Sequence, residues 1–171
     1  MTEDRPNRSG LDLRNLELGR PDLQGMQIEA ALDPGDFVVV VGRNGAGKST
    51  LLQTIMSLLT PAGGGVWLGE DPVAALSPRD RAARMSLVTS TPPRHAGITV
   101  RATMELAWRA AGLPIDRSTV EGGMERAGIA DWAGRRLDHL SDGMAQRVMV
   151  ARAALQGREV MALDEPTAFL D

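Results

Sequence analysis

The stretch "FVVVVGRNGAGKSTLLQTIMSLLT", Phe37–Thr60, decides how the rest of the chain is read. Its opening run, Phe37–Val41, predicts a strand buried on both faces, as parallel sheets require. Gly42–Thr50 then matches G-x-x-x-x-G-K-[ST], a loop that carries meaning only between a strand and a helix. Apolar residues at Leu51, Leu52, Ile55, Leu58 and Leu59 recur at helical spacing, so a helix is predicted from near Lys48 until Pro61 ends it. Each loop position has a physical reason. Gly42, Gly45 and Gly47 let the backbone curl so that successive N–H groups point inward at phosphate oxygens, and Asn44 and Ala46 belong to the same curl. The helix adds the positive end of its dipole. Lys48 supplies an ammonium for the β- and γ-phosphates of a nucleotide, and the Ser49 hydroxyl is a ligand for Mg²⁺. Thr50 closes the nucleotide-binding set at the start of the helix. A glycine-rich turn with a chance lysine is the competing reading, and the strand-loop-helix context weighs against it.

Downstream, "EVMALDE" predicts a buried strand ending on an acid pair. Asp164 stands where a carboxylate holds Mg²⁺ opposite the loop serine. Glu165 points to the other side of an extended backbone, where it can orient and deprotonate water. Alone, "DEP" is an ordinary solvated turn. Coupled to the phosphate loop, it becomes a metal site beside a general base.

Further out, "LDLRNLEL" and "MQIEAAL" alternate like strands of a half-buried antiparallel sheet. "GVWLGE" and "RMSLVTS" are further strands, and "SPRDRAAR" is a helix with Ser77 as N-cap and Pro78 in the first helical position. From Thr99 to Leu137 the text is helical in pieces, broken at "GLP" and at Gly122-Gly123. "SDGMAQRVMVARAALQG" is another helix, capped by Ser141 and ended by Gly157. The order predicts an α/β fold: a mostly parallel core sheet, an N-terminal antiparallel β part and an inserted helical subdomain at about residues 97–140. Residues 1–10 are expected to be a flexible leader, and 11–171 a single domain.

Composition narrows the function classes. A net charge of -3 gives no global basic field for nucleic acid or an anionic membrane. The absence of cysteine excludes a disulfide scaffold and a thiolate metal site. No apolar run approaches the length that spans a bilayer, and the polar start carries no secretory h-region. Any membrane connection is expected to run through a partner.

"LSDGMAQRVMVARAAL" followed by "MALDEPTAFLD" resembles the nucleotide-binding domain of ABC transporters, from about Leu11 to the last residue. "LSPRDRAARMSLV" and "GITVRATMELAWR" are most similar to the ATPases of iron-siderophore, haem and vitamin B12 importers. The resemblance implies a P-loop NTPase fold with ATP and Mg²⁺. It implies a head-to-tail homodimer in which the signature Leu140, Ser141, Asp142, Gly143 and Met144 closes on the partner's ATP. It also implies an integral-membrane permease that holds this chain at the cytoplasmic face of the membrane, indirectly a solute-binding protein, and no nucleic acid. Ser141 and the N–H groups of Gly143 and Met144 open a helix, which makes them a second anion site. A soluble DNA-repair or chromosome ATPase is the reading disfavoured by the short separation of Lys48 from Ser141, without heptads or cysteines.

The chain departs from the family pattern in several places. Asp142 and Met144 replace the usual signature letters. "TST" stands where the family carries a glutamine, with Ser90 as nearest equivalent. No tyrosine is available to stack on adenine, and Arg20 is the residue offered in its place. Neither His95 nor His139 fits the family's switch histidine. Asp171 is read as the aspartate of the D-loop. The family continues with a strand bearing the switch histidine, placed between the phosphate-loop strand and the Asp164 strand. The chain is therefore expected to be C-terminally truncated, and the alternative function is a nucleotide-binding module without turnover. Each buried backbone group left unpaired costs about 1–3 kcal/mol, against a total stability of roughly 5–15 kcal/mol. The 171 residues alone are expected not to hold a native, ATP-turning fold.

Overall fold

The computed structural model describes residues 10–20, 27–92, 97–110 and 116–166. The chain divides into two compact units, residues 1–82 and 83–171.

The first unit is built on strands β1 (Leu11–Glu17), β2 (Gln27–Leu32), β3 (Gly63–Leu68) and β4 (Asp71–Pro72), in the order β2-β1-β3-β4 with every pair antiparallel. The alternation in "LDLRNLEL" is broken by one residue, and the break has a cause. Asn15 takes a left-handed φ of 45°, and the ladder shifts register on both of its sides. That bulge moves the inward parity from Leu11 and Leu13 to Leu16 and Leu18, so all four leucines are buried. Gly64, opposite the bulge, also has a positive φ of 63°, and a Cβ there would sit 2.0 Å from the Asn15 carbonyl oxygen. No other residue fits. Elsewhere on β1, buried Asp12 pairs with Arg14 at 2.9 Å, and the Arg14 guanidinium lies 4.3 Å from the centroid of the Trp67 ring.

Helix α1 (Lys48–Ile55) starts as predicted and stops earlier. Ser57 turns left-handed at φ 52°, with Ser57 N–H donating to Thr54 O and Leu58 N–H to Gln53 O. Leu58 and Leu59 therefore leave the helical face and are exposed.

The larger correction concerns Phe37–Val41. These residues form no strand, and their exposure runs from 41% at Val40 to 88% at Phe37. An apolar run buried on both faces needs a paired strand at each edge, and among the described residues none pairs with it. Such a segment invites self-association. Replacing Val39 and Val41 together by threonine is expected to leave the helix content of the 171-residue chain, read by circular dichroism, unchanged, because exposed substitutions shift stability by about 0.5 kcal/mol or less. The same change is expected to lower its self-association, measured by light scattering. A marked loss of helix content would show that the segment is buried in solution.

The second unit holds a parallel pair, β5 (Met85–Val88) and β6 (Val160–Leu163), with Met85 opposite Val160 and Val88 opposite Leu163. The expected burial of "EVMAL" is only partial. Ala162 is buried, but Met161 is 43% exposed, since β6 is paired at one edge alone among the described residues. Helices α3 (Val100–Ala110), α4 (Arg117–Arg126) and α5 (Asp142–Gln156) bury Val100, Met104, Val120, Met124, Val148 and Met149 in one core. Trp108 and Trp132 pack against it.

Gly122-Gly123 does not break α4, contrary to expectation. A Cβ at Gly123 would meet Leu155 of α5 at 3.0 Å, so the glycine serves close helix approach and the helix pays for it in propensity. Asp116 caps α4, and hydroxyl bonds from Thr119 and then Ser118 hold its carboxyl below the usual range. Helix α2 (Pro78–Arg84) opens as predicted: the Ser77 hydroxyl accepts from the Asp80 N–H at 3.1 Å and donates to the Asp80 carboxylate. Arg158 has no motif to announce it, yet it donates to Ala83 O and Ala110 O, both at 2.8 Å. Its charge thus ties the C-terminal turns of α2 and α3, where the helix dipole favours a cation.

Candidate functional site

Gly42–Thr50 forms the loop and first turn that the sequence predicts, within the first unit. Gly45 and Gly47 have φ of 81° and 93°, values open to glycine at little cost. Ala46 N–H donates to Arg43 O at 3.1 Å and closes the curl. Gly42 lies where a Cβ would only touch Ala46 at 3.5 Å, so its contribution is not steric. The Lys48 ammonium folds over the loop and donates to Gly42 O at 3.0 Å and Arg43 O at 3.1 Å. It is thereby held on the concave side by weak neutral acceptors, which an anionic oxygen outcompetes. Gly47 caps α1 with no side-chain hydrogen bond and no acid in the first turn. An uncapped, acid-free helix start beneath a curled glycine loop is the geometry that binds phosphate.

Thr50 is buried and its Oγ1 accepts from Arg20 Nη1 at 3.4 Å. Arg20 is itself exposed, and its guanidinium reaches the first turn of α1.

In the second unit, Asp164 follows β6, is 7% exposed, and donates its N–H to Val88 O at 2.8 Å. Glu165 is exposed and takes a left-handed φ of 47°. The expected extended backbone at this residue is thus wrong. The chain turns left-handed here, which separates a buried carboxylate from an exposed one at a cost of about 1–3 kcal/mol.

Ser141 caps α5, its Oγ accepting from Met144 N–H at 3.3 Å. This corrects the expectation that both Gly143 and Met144 offer unengaged N–H groups. The cap takes the Met144 donor, because a helix start without an anion satisfies its orphans locally. Leu140 is buried in the helical core, whereas Ser141 and Asp142 are exposed, so the first signature letter anchors and the next two face outward. Ser90 is half-buried just beyond β5, and His139 is exposed on a 3₁₀ turn. Asp171 and His95 lie outside the described residues.

A family profile described as ABC transporter matches residues 26–168. The chain belongs to the ABC transporter family. It is 38% identical over 169 residues to the cobalamin import ATP-binding protein BtuD of Halobacterium salinarum, covering 94% of this chain and 42% of that protein. It is 32% identical over 150 residues to the iron(3+)-hydroxamate import ATP-binding protein FhuC of Bacillus subtilis, covering 84% and 56%. Against the hemin import ATP-binding protein HmuV of Nocardia farcinica the identity is 38%, covering 85% and 52%. The chain spans about half the length of these curated relatives. A solved structure of the ATP-binding subunit of an ABC transporter superposes with a TM-score of 0.80 at 26% identity, over 94% of this chain and 67% of that one. The antiparallel sheet, the parallel pair and the helices are thus those of an ABC ATPase domain.

Two features of this ABC domain escaped sequence reasoning. The left-handed turn at Glu165 has no signal in "LDEPT" beyond the following proline. Gln146, on the buried side of α5, could have been found as a polar residue inside an apolar helical stripe.

Proposed function

We propose that the chain is the ATP-binding part of an ABC import system, hydrolysing ATP in a head-to-tail dimer to drive solute through a separate permease. The observation that carries this reading is the Gly42–Thr50 cradle: two left-handed glycines, an uncapped helix start and an ammonium resting on loop carbonyls. In this reading the amides of Gly42, Asn44, Gly45, Ala46 and Gly47, with Lys48 and Thr50, grip the phosphates. Glu165 takes a proton from the attacking water. The Ser141 hydroxyl and the Gly143 N–H address the phosphate held by the partner subunit. Asp171 belongs to the same dimer contact, and Ser90 stands in the segment that faces the permease. Localisation follows from that partner: the cytoplasmic face of the membrane. Among the described residues no helix is long and apolar enough to cross a bilayer.

Mg²⁺ fits the donor set. It takes oxygen ligands, usually one or two from protein with phosphate and water completing the shell. In this reading the Ser49 hydroxyl and the Asp164 carboxylate would each offer one oxygen to the ion, and among the described residues no group of three or more His, Cys, Asp or Glu could hold a metal by itself. When bound, the ion neutralises charge on the phosphates.

A second reading, nucleotide binding without turnover by these 171 residues, is favoured by the exposure of Phe37–Val41. Steady-state phosphate release separates the two, and mass measurement tests the dimer. With Mg·ATP, the protein as the cell makes it is expected to pass from one subunit to two by light scattering, and Ser141→Arg is expected to prevent it. An ATP-bound species that stays monomeric at all concentrations contradicts the head-to-tail dimer.

A further inference from the structure

Gln146 is fully buried in the core of the second unit, on the same helix as buried Ala145, Val148 and Met149. Its Nε2 donates to Thr89 O at 3.2 Å, while its Oε1 is buried with no hydrogen-bond partner among the described residues. Methionine or leucine would fill such a volume without desolvating an amide. A polar side chain kept in a core against that cost points to a task other than packing. The contacts show the task. Thr89 directly follows β5, and the preceding carbonyl, that of Val88, accepts the Asp164 N–H at 2.8 Å. Two adjacent carbonyls of one strand end are therefore taken, one by the helix that opens at Ser141 and one by the acid that ends β6.

We propose that Gln146 is a positioning residue, which fastens α5 to the end of β5 on which the Asp164 N–H is also held, and so sets the depth of the Asp164 turn. The inference rests on the ATPase reading above and concerns a residue two positions past Met144. It acts through Thr89 and touches no nucleotide. Removing the amide releases the depth of the Asp164 turn relative to α5, which alters the rate of chemistry and leaves phosphate binding by the Gly42–Thr50 loop intact.

In the protein as the cell makes it, Gln146→Leu is expected to keep the melting temperature within about 3 °C, because it removes the bond and the unpartnered oxygen together. The KM for ATP is expected to stay within about twofold while kcat falls about tenfold, the pattern of an interaction felt only in the transition state. Amide exchange at Asp164, read without nucleotide, is expected to speed up about tenfold. Gln146→Met, unbranched like glutamine, repeats the measurement should the leucine variant fail to fold. Gln146→Glu can donate to Thr89 O only when its carboxyl is protonated, so its turnover relative to wild type is expected to rise as pH falls. A loss of about 10 °C or more in both apolar variants makes Gln146 a packing residue and overturns the proposal. So does unchanged exchange at Asp164. Should the wild type prove to have no turnover, the ATPase reading fails, and the exchange rate at Asp164 still decides whether Gln146 holds that turn.

Discussion

Lys48→Ala is expected to weaken Mg·ATP binding by about a hundredfold while leaving the melting temperature of the nucleotide-free protein nearly unchanged. The ammonium makes two bonds to the loop's own carbonyls, at 3.0 and 3.1 Å. Neutral acceptors of that kind contribute about 1 kcal/mol each at a half-exposed site, and solvent replaces them readily. A bond between ammonium and phosphate is charge-assisted and stronger, at about 1.5–3 kcal/mol. Two such bonds amount to at least about 3 kcal/mol, and each 1.4 kcal/mol is a factor of ten. Calorimetric titration with Mg·ATP checks the value. Unchanged affinity in the alanine variant would remove the role assigned to Lys48 in the phosphate loop.

Glu165→Gln is expected to reduce ATP turnover by about 10²–10⁴-fold, the range a general base contributes, with ATP affinity within about threefold of wild type. Glutamine keeps the shape and the hydrogen-bonding reach of glutamate and loses only its ability to take a proton. The left-handed φ of 47° makes the comparison stringent, because both side chains tolerate the same turn about equally. Steady-state phosphate release and nucleotide titration, run on the same preparation, separate the two effects. Equal turnover in wild type and variant would move the base to another residue and leave Glu165 with the strain unexplained.

How much of this was legible beforehand depended on how local each cause was. The phosphate loop could be read almost letter by letter, because glycine conformation, helix start and lysine reach are all settled within Gly42–Thr50. The caps at Ser77, Ser141 and Gly157 were legible for the same reason. The alternation of β1 and β2 gave their antiparallel pairing, though not the bulge at Asn15, whose partner Gly64 is distant in sequence. Phe37–Val41 was misread because hydrophobic pattern reports what a segment can bury and says nothing of whether a neighbour arrives to bury it. Gly122-Gly123 was misread as a break because helix propensity was weighed without Leu155, which packs against the gap. Arg158 was invisible for a related reason, and Gln146 showed only as a polar residue inside an apolar stripe, its bond unannounced. Their partners, Thr89, Ala83 and Ala110, are chosen by the tertiary fold.

The claim on which the rest depends is that an ATP polyphosphate is gripped by the backbone of one short loop. Backbone amide resonances followed during titration with Mg·ATP test it directly. The account predicts large, saturable shifts concentrated at Gly42, Asn44, Gly45, Ala46 and Gly47 through Thr50, abolished by Lys48→Ala. Shifts absent from that loop at saturating nucleotide, or centred on residues elsewhere, would contradict it.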